Sequence, residues 1–520
     1  MNGNTIQILI AMVIYMAAVI GIGLWYAKRA NQNSEEYFLG GRSLGPWVTA
    51  MSAEASDMSG WLLMGLPGVA YWYGLADAFW TALGLAVGTY LNWLIVSKRL
   101  RRYSVRANNA ITLPEFFSNR FRENKKTIMM IAAAFILIFF TVYASSCFVT
   151  CGKLFSTLFG APYVSMMILG AAFVLLYTLL GGFLAESASD FMQAIVMIVA
   201  LTVIVVLGTS KAGGIGAVME NAKQIPGFLE FFGLATPVLD ETGMQLVEGG
   251  APVFGAVSDY GFLTVCSMMA WGLGYFGMPQ VLLRFMAIRH EDELSRSRRI
   301  AMIWVVISLG VAVFIGIVGR QIYPAAHLTK SAAENIFITL ATSSLPPLLA
   351  GFVMAGILAA TISSSDSYLL IAASAFAKNI FQGVCKKDAT DKQVMLVSRL
   401  TLLALALIGV VIALDENSVI FQIVSFAWAG FGATFGPLML FSLFWKRTNK
   451  PGAIAGMVSG AGMVFLWKLV ISKLGGLFAI YELLPAFIFS AICIVVVSLL
   501  TEAPSKEIED DFEAVKTGSL

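Results

Sequence analysis

Long apolar runs recur along the whole chain, and about 20 such residues are enough for a helix to cross the hydrocarbon layer of a membrane. Thirteen runs of this kind can be marked in the 520 residues. The composition agrees, because 58% of the residues are hydrophobic and 12% are charged, whereas soluble domains carry about 25% charged residues. The sequence therefore predicts an all-α polytopic membrane protein with thirteen transmembrane helices.

These runs form one continuous domain, residues 1–500, followed by a short tail at 501–520 that is too small to fold alone. The first run is interpreted as a retained span, because it is longer than a signal-peptide core and lacks a small-residue cleavage pattern. The predicted spans are 5–26, 47–69, 76–96, 128–150, 163–183, 190–209, 261–283, 300–322, 346–372, 394–413, 418–444, 452–471 and 478–499.

Basic residues predict which side of the membrane each connection faces, because Lys and Arg near span ends are retained in the cytoplasm. Nine of them lie at residues 98–126, and five arginines at 284–299, beginning with Arg284, fall on the same side by span count. The connection 211–259 instead carries six acids and two lysines. We therefore expect a multi-pass protein of the cell membrane with its N-terminus outside and its tail in the cytoplasm.

Charge and cysteine content exclude several other classes of protein. The net charge of +3 is too small to indicate a nucleic-acid partner, and five cysteines without CxxC spacing indicate neither a disulfide framework nor a zinc site. No nucleophile–histidine pair or metal cluster indicates an enzyme. The lipid bilayer is the evident partner, and no obligatory protein partner is indicated.

Two of the predicted spans look broken. Residues 52–61 contain six polar or glycine positions in ten, and residues 271–279 contain three glycines and a proline. Irregular backbone at membrane depth is tolerated only where it is buried in protein or lines a cavity, although glycines also serve close helix packing. The breaks lie five spans apart, which predicts two five-helix repeats, about 47–209 and 261–444, of inverted topology.

A polar cluster in the ninth span, residues 361–367, places four serines beside Asp366. Neutral oxygens suit a monovalent cation such as sodium, whereas calcium prefers several carboxylates. The alternative is that the hydroxyls bond to the preceding helical turn. Carboxylates inside spans are costly and therefore functional candidates; these are Asp57, Asp366 and Asp190, the last of which could instead be an interfacial cap.

Four segments carry a resemblance to a known family: 37–46 (YFLGGRSLGP), 55–68 (ASDMSGWLLMGLPG), 271–277 (WGLGYFG) and 428–433 (WAGFGA). They resemble the sodium:solute symporter family over about residues 5–500. The resemblance implies a leucine-transporter-like core and sodium-coupled uptake of L-proline by alternating access. Another small solute (a different amino acid, a sugar, pantothenate or sialic acid), lithium or a proton as coupling ion, and a membrane sensor stay open as alternatives.

The resemblance also implies roles for individual residues. The sodium ligands would be the carbonyls of Ala55, Met58 and Ala360 and the hydroxyls of Ser363 and Ser364, with Asp57 supporting the site. Some relatives bind a second cation, which here would lie at Asp190, Ser363, Asp366 and Ser367. The proline pocket would be formed by Ser59, Gly60, Trp61, Tyr143, Trp271, Tyr275 and Pro279. Arg42 would belong to the cytoplasmic gate, and the charge of Glu54 has no assigned role.

Overall fold

The computed structural model describes residues 3–518, and this part of the chain is mostly helical. Eleven of its helices are long and apolar enough to span a membrane. The prediction of an all-α polytopic membrane protein is therefore confirmed. The spanning segments are Gly3–Ala30, Leu75–Arg106, Thr127–Phe159, Tyr163–Leu180, Gly182–Lys211, Glu291–Ile322, Pro347–Cys385, Asp391–Ile412, Ile420–Phe444, Lys450–Leu474 and Leu483–Leu500.

The α-helices are numbered in chain order, and four two-residue strands lie in the long connection after α10. The helices are α1 (Gly3–Ala30), α2 (Ser34–Leu39), α3 (Pro46–Asp57), α4 (Leu66–Tyr73), α5 (Leu75–Leu91), α6 (Ser97–Arg106), α7 (Leu113–Arg120), α8 (Thr127–Phe159), α9 (Tyr163–Lys211), α10 (Ile215–Lys223), α11 (Phe262–Met269), α12 (Pro279–Ala287), α13 (Leu294–Ile322), α14 (Lys330–Ala333), α15 (Ile336–Ser344), α16 (Pro347–Ser374), α17 (Asp391–Ile412), α18 (Ile420–Phe444), α19 (Lys450–Leu469), α20 (Leu483–Leu500) and α21 (Lys506–Thr517). The strands are β1 (Gly233–Leu234), β2 (Val247–Glu248), β3 (Ala251–Pro252) and β4 (Ser258–Asp259), with β1 paired antiparallel to β4 and β2 to β3.

The two predicted spans at 47–69 and 261–283 are the interrupted segments. α3 ends at Asp57, and a π-helical turn over Trp61–Gly65 leads into α4. In the second segment a 3₁₀ stretch, Ala270–Gly277, separates α11 from α12. Both predicted breaks are thus present, whereas the count of thirteen spans stays a prediction because these two lack an unbroken apolar helix.

Proline and glycine explain the second break and its packing. Pro279 lacks an N–H group and begins α12, where that group would have no helical partner. A Cβ on Gly272 would collide with the backbone of Gly84 in α5, and one on Gly277 would collide with the carbonyl of Phe431 in α18. The glycines here therefore serve close helix packing as well as the break.

α9 joins two predicted spans through a single glycine. Gly182 has a φ of 59°, which an L side chain adopts only with strain, and it divides α9 into the spans Tyr163–Leu180 and Gly182–Lys211. A Cβ at Gly182 would lie 2.8 Å from the ring of Tyr37. This turn fixes where the second half of α9 begins, and that half carries Glu186 and Asp190.

The tail is a docked helix, which the sequence analysis did not anticipate. α21 buries Phe512 and Val515, and the carboxylate of Asp511 pairs with Arg106 at 2.9 Å and with Arg122 at 2.8 Å. The tail therefore folds on the basic connection between α6 and α8 rather than by itself.

One assignment from the positive charges is wrong. Arg284 was counted with the basic residues of a connection, but it lies in α12 and is fully buried. The span-end rule counts arginines by position in the chain, and position alone does not tell a solvated arginine from one with buried partners.

Candidate ion and solute site

A cluster of neutral oxygens joins the end of α3 to the middle of α16. The hydroxyl of Ser363 donates to the carbonyl of Ala55 at 2.7 Å, and the hydroxyl of Ser364 donates to the same carbonyl at 3.2 Å. Ser363 Oγ also lies 3.2 Å from the carbonyl oxygen of Ala360. Four of the five predicted sodium ligands thus lie together. Along the chain, Ala55 is separated from the other three by 305–309 residues. For Met58, the contacts are a side-chain sulfur that accepts from Ser308 and a backbone N–H that donates to Glu54.

Asp57 links the two broken segments to each other. Its carboxylate accepts a hydrogen bond from the hydroxyl of Tyr275 at 2.8 Å and one from the amide of Gln280 at 3.2 Å. Both partners belong to the second break. The side chain thus ties the end of α3 to the second broken segment.

The backbone of the first break is held by aromatic donors. The carbonyl of Asp57 accepts from the indole N–H of Trp61 at 3.3 Å and from the hydroxyls of Tyr143 and Tyr368 at 3.5 and 3.3 Å. The rings of Tyr143 and Tyr368 stack with centroids 4.2 Å apart. Tyr143 therefore lies at the break as predicted, and Tyr368, which the sequence analysis did not select, lies with it.

Two small residues, Ser59 and Gly60, follow this carbonyl in the chain. The hydroxyl of Ser59 is buried without a hydrogen-bond partner in the described part of the chain. A Cβ on Gly60 would collide with Thr150 of α8. This position therefore requires glycine in the present packing.

The aromatic residues of the second break form a separate layer. The indole of Trp428 donates to the carbonyl of Trp271 at 2.8 Å, and Trp271 stacks on Tyr481 with centroids 5.0 Å apart. Tyr275 meets Trp428 edge to face at 4.9 Å. The seven predicted pocket residues are all buried. They surround the two breaks, with Pro279 at the start of α12.

Arg42 joins several segments on the side that carries the basic connections. Its guanidinium donates to the carbonyl of Met286 at the end of α12 at 2.6 Å and to the carbonyl of Ala110 at 2.7 Å, and it also bonds the side chains of Ser104 and Asn109. Burial and the nearby Arg101 lower the pKa of Arg42 to about 10, so it stays charged at neutral pH. Arg42 thus ties the chain before α3 to the end of α12.

A buried ion pair lies near the other end of α8. Lys153 of α8 lies 2.8 Å from the carboxylate of Glu334, which precedes α15. The same carboxylate accepts the backbone N–H groups of Ile420 and Phe421 at 2.9 and 3.0 Å. These are the first residues of α18, where the helix leaves N–H groups without helical partners. Glu334 therefore caps α18 and binds α8. Neither contact is predicted from the sequence.

The predicted second cation residues meet a group that the prediction lacked. Asp190 accepts from Ser52 at 2.7 Å and lies 3.3 Å from a guanidinium nitrogen of Arg284. The same nitrogen bonds Glu186 and, at 2.9 Å, the hydroxyl of Ser367. Asp366 accepts from the N–H of Ser367, and its other oxygen has no partner among the described residues.

Glu54, whose charge had no assigned role, accepts from the indole of Trp93 at 3.2 Å. Its second oxygen has no partner in residues 3–518. In sequence, Glu186 and Glu334 were recognisable only as acids at or near spans, and Arg284 only as a basic residue at the end of one.

The fold and these contacts define a class, namely a multi-pass membrane transporter built around two broken helices. Residues 37–460 match the model of the sodium:solute symporter family. The chain therefore belongs to the sodium:solute symporter family, and the prediction of a transporter rather than an enzyme is confirmed.

Two relatives match over nearly their whole length. The osmoregulated proline transporter OpuE of Bacillus subtilis (strain 168) is 40% identical over 502 residues, 96% of each chain. The sodium/proline symporter of Staphylococcus aureus (strain USA300) is 38% identical over 516 residues, 98% of this chain and 96% of that one.

Solved structures show the fold. A substrate-bound, outward-open Na+-coupled sialic acid symporter superposes with a TM-score of 0.75 at 18% identity, over 96% of this chain and 99% of that one. MhsT in complex with L-phenylalanine gives 0.52 at 15% identity, over 87% and 97%. The leucine-transporter-like fold expected from the resemblance is confirmed.

Proposed function

We propose that this protein takes up L-proline across the cell membrane, driven by sodium. The observation that carries the proposal is the cluster of Ala55, Ser363 and Ser364 oxygens at a helix break, next to a buried set of aromatic side chains. The names of the two full-length relatives, a sodium/proline symporter and a proline transporter, support the same solute and ion.

Sodium would bind where the end of α3 meets α16. On binding, the serine hydroxyls that now donate to the carbonyl of Ala55 would turn their lone pairs toward the ion, and the carbonyls of Ala360 and Met58 would complete the set. All five are neutral oxygens, which suits a monovalent ion. Asp57 would hold the end of α3 against the second break through Tyr275 and Gln280.

Proline would bind at the breaks themselves. The helix that begins near Gly60 presents its N-terminus, which attracts a carboxylate. The unpartnered hydroxyl of Ser59 is available to the solute, and Trp61, Tyr143, Trp271 and Tyr275 would enclose the pyrrolidine ring. Pro279 would shape the far wall, because the chain turns there into α12.

Two contacts would act as gates in alternating access. The side with the basic connections is proposed to be cytoplasmic, so Arg42 would be the cytoplasmic gate and the Lys153–Glu334 pair the external one. The N-terminus would then lie outside and α21 inside. Thirteen spans within residues 1–500, arranged as repeats at about 47–209 and 261–444, belong to the same proposal.

The test is uptake of labelled proline into proteoliposomes with and without an inward sodium gradient. Ser363→Ala removes a ligand, and we expect it to raise the sodium concentration needed for half-maximal uptake. Ser365→Ala is the matched control, because its hydroxyl bonds only to its own helix, at Thr361 and Ile362.

Uptake that needs the gradient, is weakened in Ser363→Ala and persists in Ser365→Ala supports the proposal. Sodium-driven current without proline uptake would redirect it to another small solute. Uptake that is independent of sodium, or driven equally by a proton gradient, would overturn the coupling mechanism.

A further inference from the structure

One cationic side chain lies where four structural elements meet beside the ion site. Arg284 of α12 is fully buried. Its Nε donates to the hydroxyl of Ser52 in α3 at 3.0 Å, and Nη1 donates to the carbonyl of Gln280 at 3.1 Å. Nη2 contacts Glu186 and Asp190 of α9 and Ser367 of α16. A fully buried charge is costly to desolvate unless partners compensate it, so five acceptors around one guanidinium indicate a specific role.

Two of these partners lie about one helical turn from the sodium cluster. Ser52 precedes Ala55 by three residues in α3. Ser367 follows Ser363 by four residues in α16 and donates to its carbonyl at 3.0 Å. Arg284 therefore holds the two helices that supply the ion ligands, from a position on the second broken segment.

The guanidinium also uses the oxygens that a second mobile cation would need. Of the carboxylate oxygens of Asp190, Oδ2 contacts Arg284 and Oδ1 has no partner in the described chain. The hydroxyl of Ser367 accepts from Arg284 at 2.9 Å. An ion bound by Asp190 Oδ2 and Ser367 Oγ would have to displace the guanidinium, and a displaced guanidinium would leave a buried charge without its partners.

We propose that Arg284 is a positioning residue that acts as a fixed cation: it takes the coordination that Asp190 and Ser367 would offer a second ion. The inference rests on the proposed sodium-coupled function. Because the charge is covalently attached, it offsets one of the carboxylate charges of Glu186 and Asp190 without crossing the membrane. Each cycle therefore moves one sodium ion fewer than these groups could hold without the arginine.

Removing the guanidinium should convert this place into an ion site. In Arg284→Gln, the buried carboxylates of Glu186 and Asp190 lose their cation. One oxygen of Asp190 and one of Asp366 already have no partner in residues 3–518. We expect the Hill coefficient for sodium to rise by about one, and the ratio of labelled sodium to labelled proline taken up to rise by about one, relative to the parent.

Arg284→Lys keeps the charge but loses the planar fork that reaches several partners. We expect an unchanged Hill coefficient and a sodium concentration for half-maximal uptake that rises about tenfold, since hydrogen bonds to charged groups are lost. If Arg284→Gln does not fold, the lysine variant decides the question. A parental sodium concentration for half-maximal uptake in Arg284→Lys would then overturn the proposal.

Arg320→Gln is the control for loss of a buried arginine, because Arg320 is also fully buried but contacts Gln245, Tyr71 and Phe254. We expect it to lower stability without changing the Hill coefficient. An Arg284→Gln protein with parental Hill coefficient and ion ratio overturns the fixed-cation role. If the parent itself shows no sodium-driven proline uptake, the proposed function fails instead, and sodium titration of thermal stability still tests Arg284.

Discussion

Glu334→Gln should open the side of the protein closed by Lys153. The two side chains are 2% and 5% exposed, and the carboxylate holds one ammonium and two N–H groups of α18. Removing one partner of a buried ion pair costs about 3–5 kcal/mol. Because glutamine keeps an acceptor oxygen, we expect the closed state to lose about 3 kcal/mol relative to the open state. This corresponds to a change of about 150-fold in the equilibrium between the two states.

The assay introduces Thr150→Cys and measures how fast a water-soluble thiol reagent, added on the side of Lys153, labels the new thiol. Thr150 lies against Gly60 at the first break and is buried, so reaction there reports opening. The five native cysteines are first replaced, and the parent must still transport. We expect Glu334→Gln to raise the labelling rate, up to the point at which the thiol reaction itself rather than opening of the protein limits it.

Two further variants make the result decisive. Glu482→Gln is the matched control, because Glu482 is a buried acid on the same side that pairs with Lys468 rather than with Lys153. Lys153→Met added to Glu334→Gln should recover part of the lost closure by removing the unpaired ammonium. A labelling rate in Glu334→Gln within about threefold of the parent would refute the role of this pair as a gate.

Three other outcomes are expected. Tyr275→Phe removes only the hydroxyl that donates to Asp57, so the sodium concentration for half-maximal uptake should rise about tenfold while thermal stability in detergent changes little; an unchanged value contradicts the link. Gly60→Ala should abolish uptake because its Cβ collides with α8, whereas Gly462→Ala, with open space, should transport normally. Burial and a nearby arginine lower the pKa of His327 from 6.5 to about 4, so the unfolded chain binds more protons in that range and stability should fall as pH drops from 6.5 to 4; His327→Gln should flatten this dependence in thermal unfolding.

The membrane spans, the helix breaks and the serine cluster were predictable from the sequence. Apolar runs of spanning length recur because backbone groups in lipid are satisfied only within helices, so each of the eleven spanning helices of the structure overlaps one of the thirteen predicted runs. The breaks were equally visible, since glycine, proline and clustered serines are unusual in a lipid-facing helix. The serine cluster at 361–367 was visible in the same local composition, and the family resemblance then assigned Ser363 and Ser364 to the ion.

Other features depend on packing between distant segments. The hydroxyl of Ser363 meets the carbonyl of Ala55 across 308 residues. Glu334 meets Lys153 across 181 residues. Spacing along one helix predicts which residues share a face but not which helix that face meets. The partners of Glu334 and the stacking of Tyr368 on Tyr143 therefore could not be predicted.

Arg284 shows the same limit for charge. By sequence alone, the apolar runs determined that this is a membrane protein, and clusters of glycine, proline and serine within those runs indicated where its helices break and where an ion could bind. Only the tertiary structure decided that Arg284 turns inward among Ser52, Asp190 and Ser367, because a buried guanidinium is stable only where several helices bring acceptors to one point.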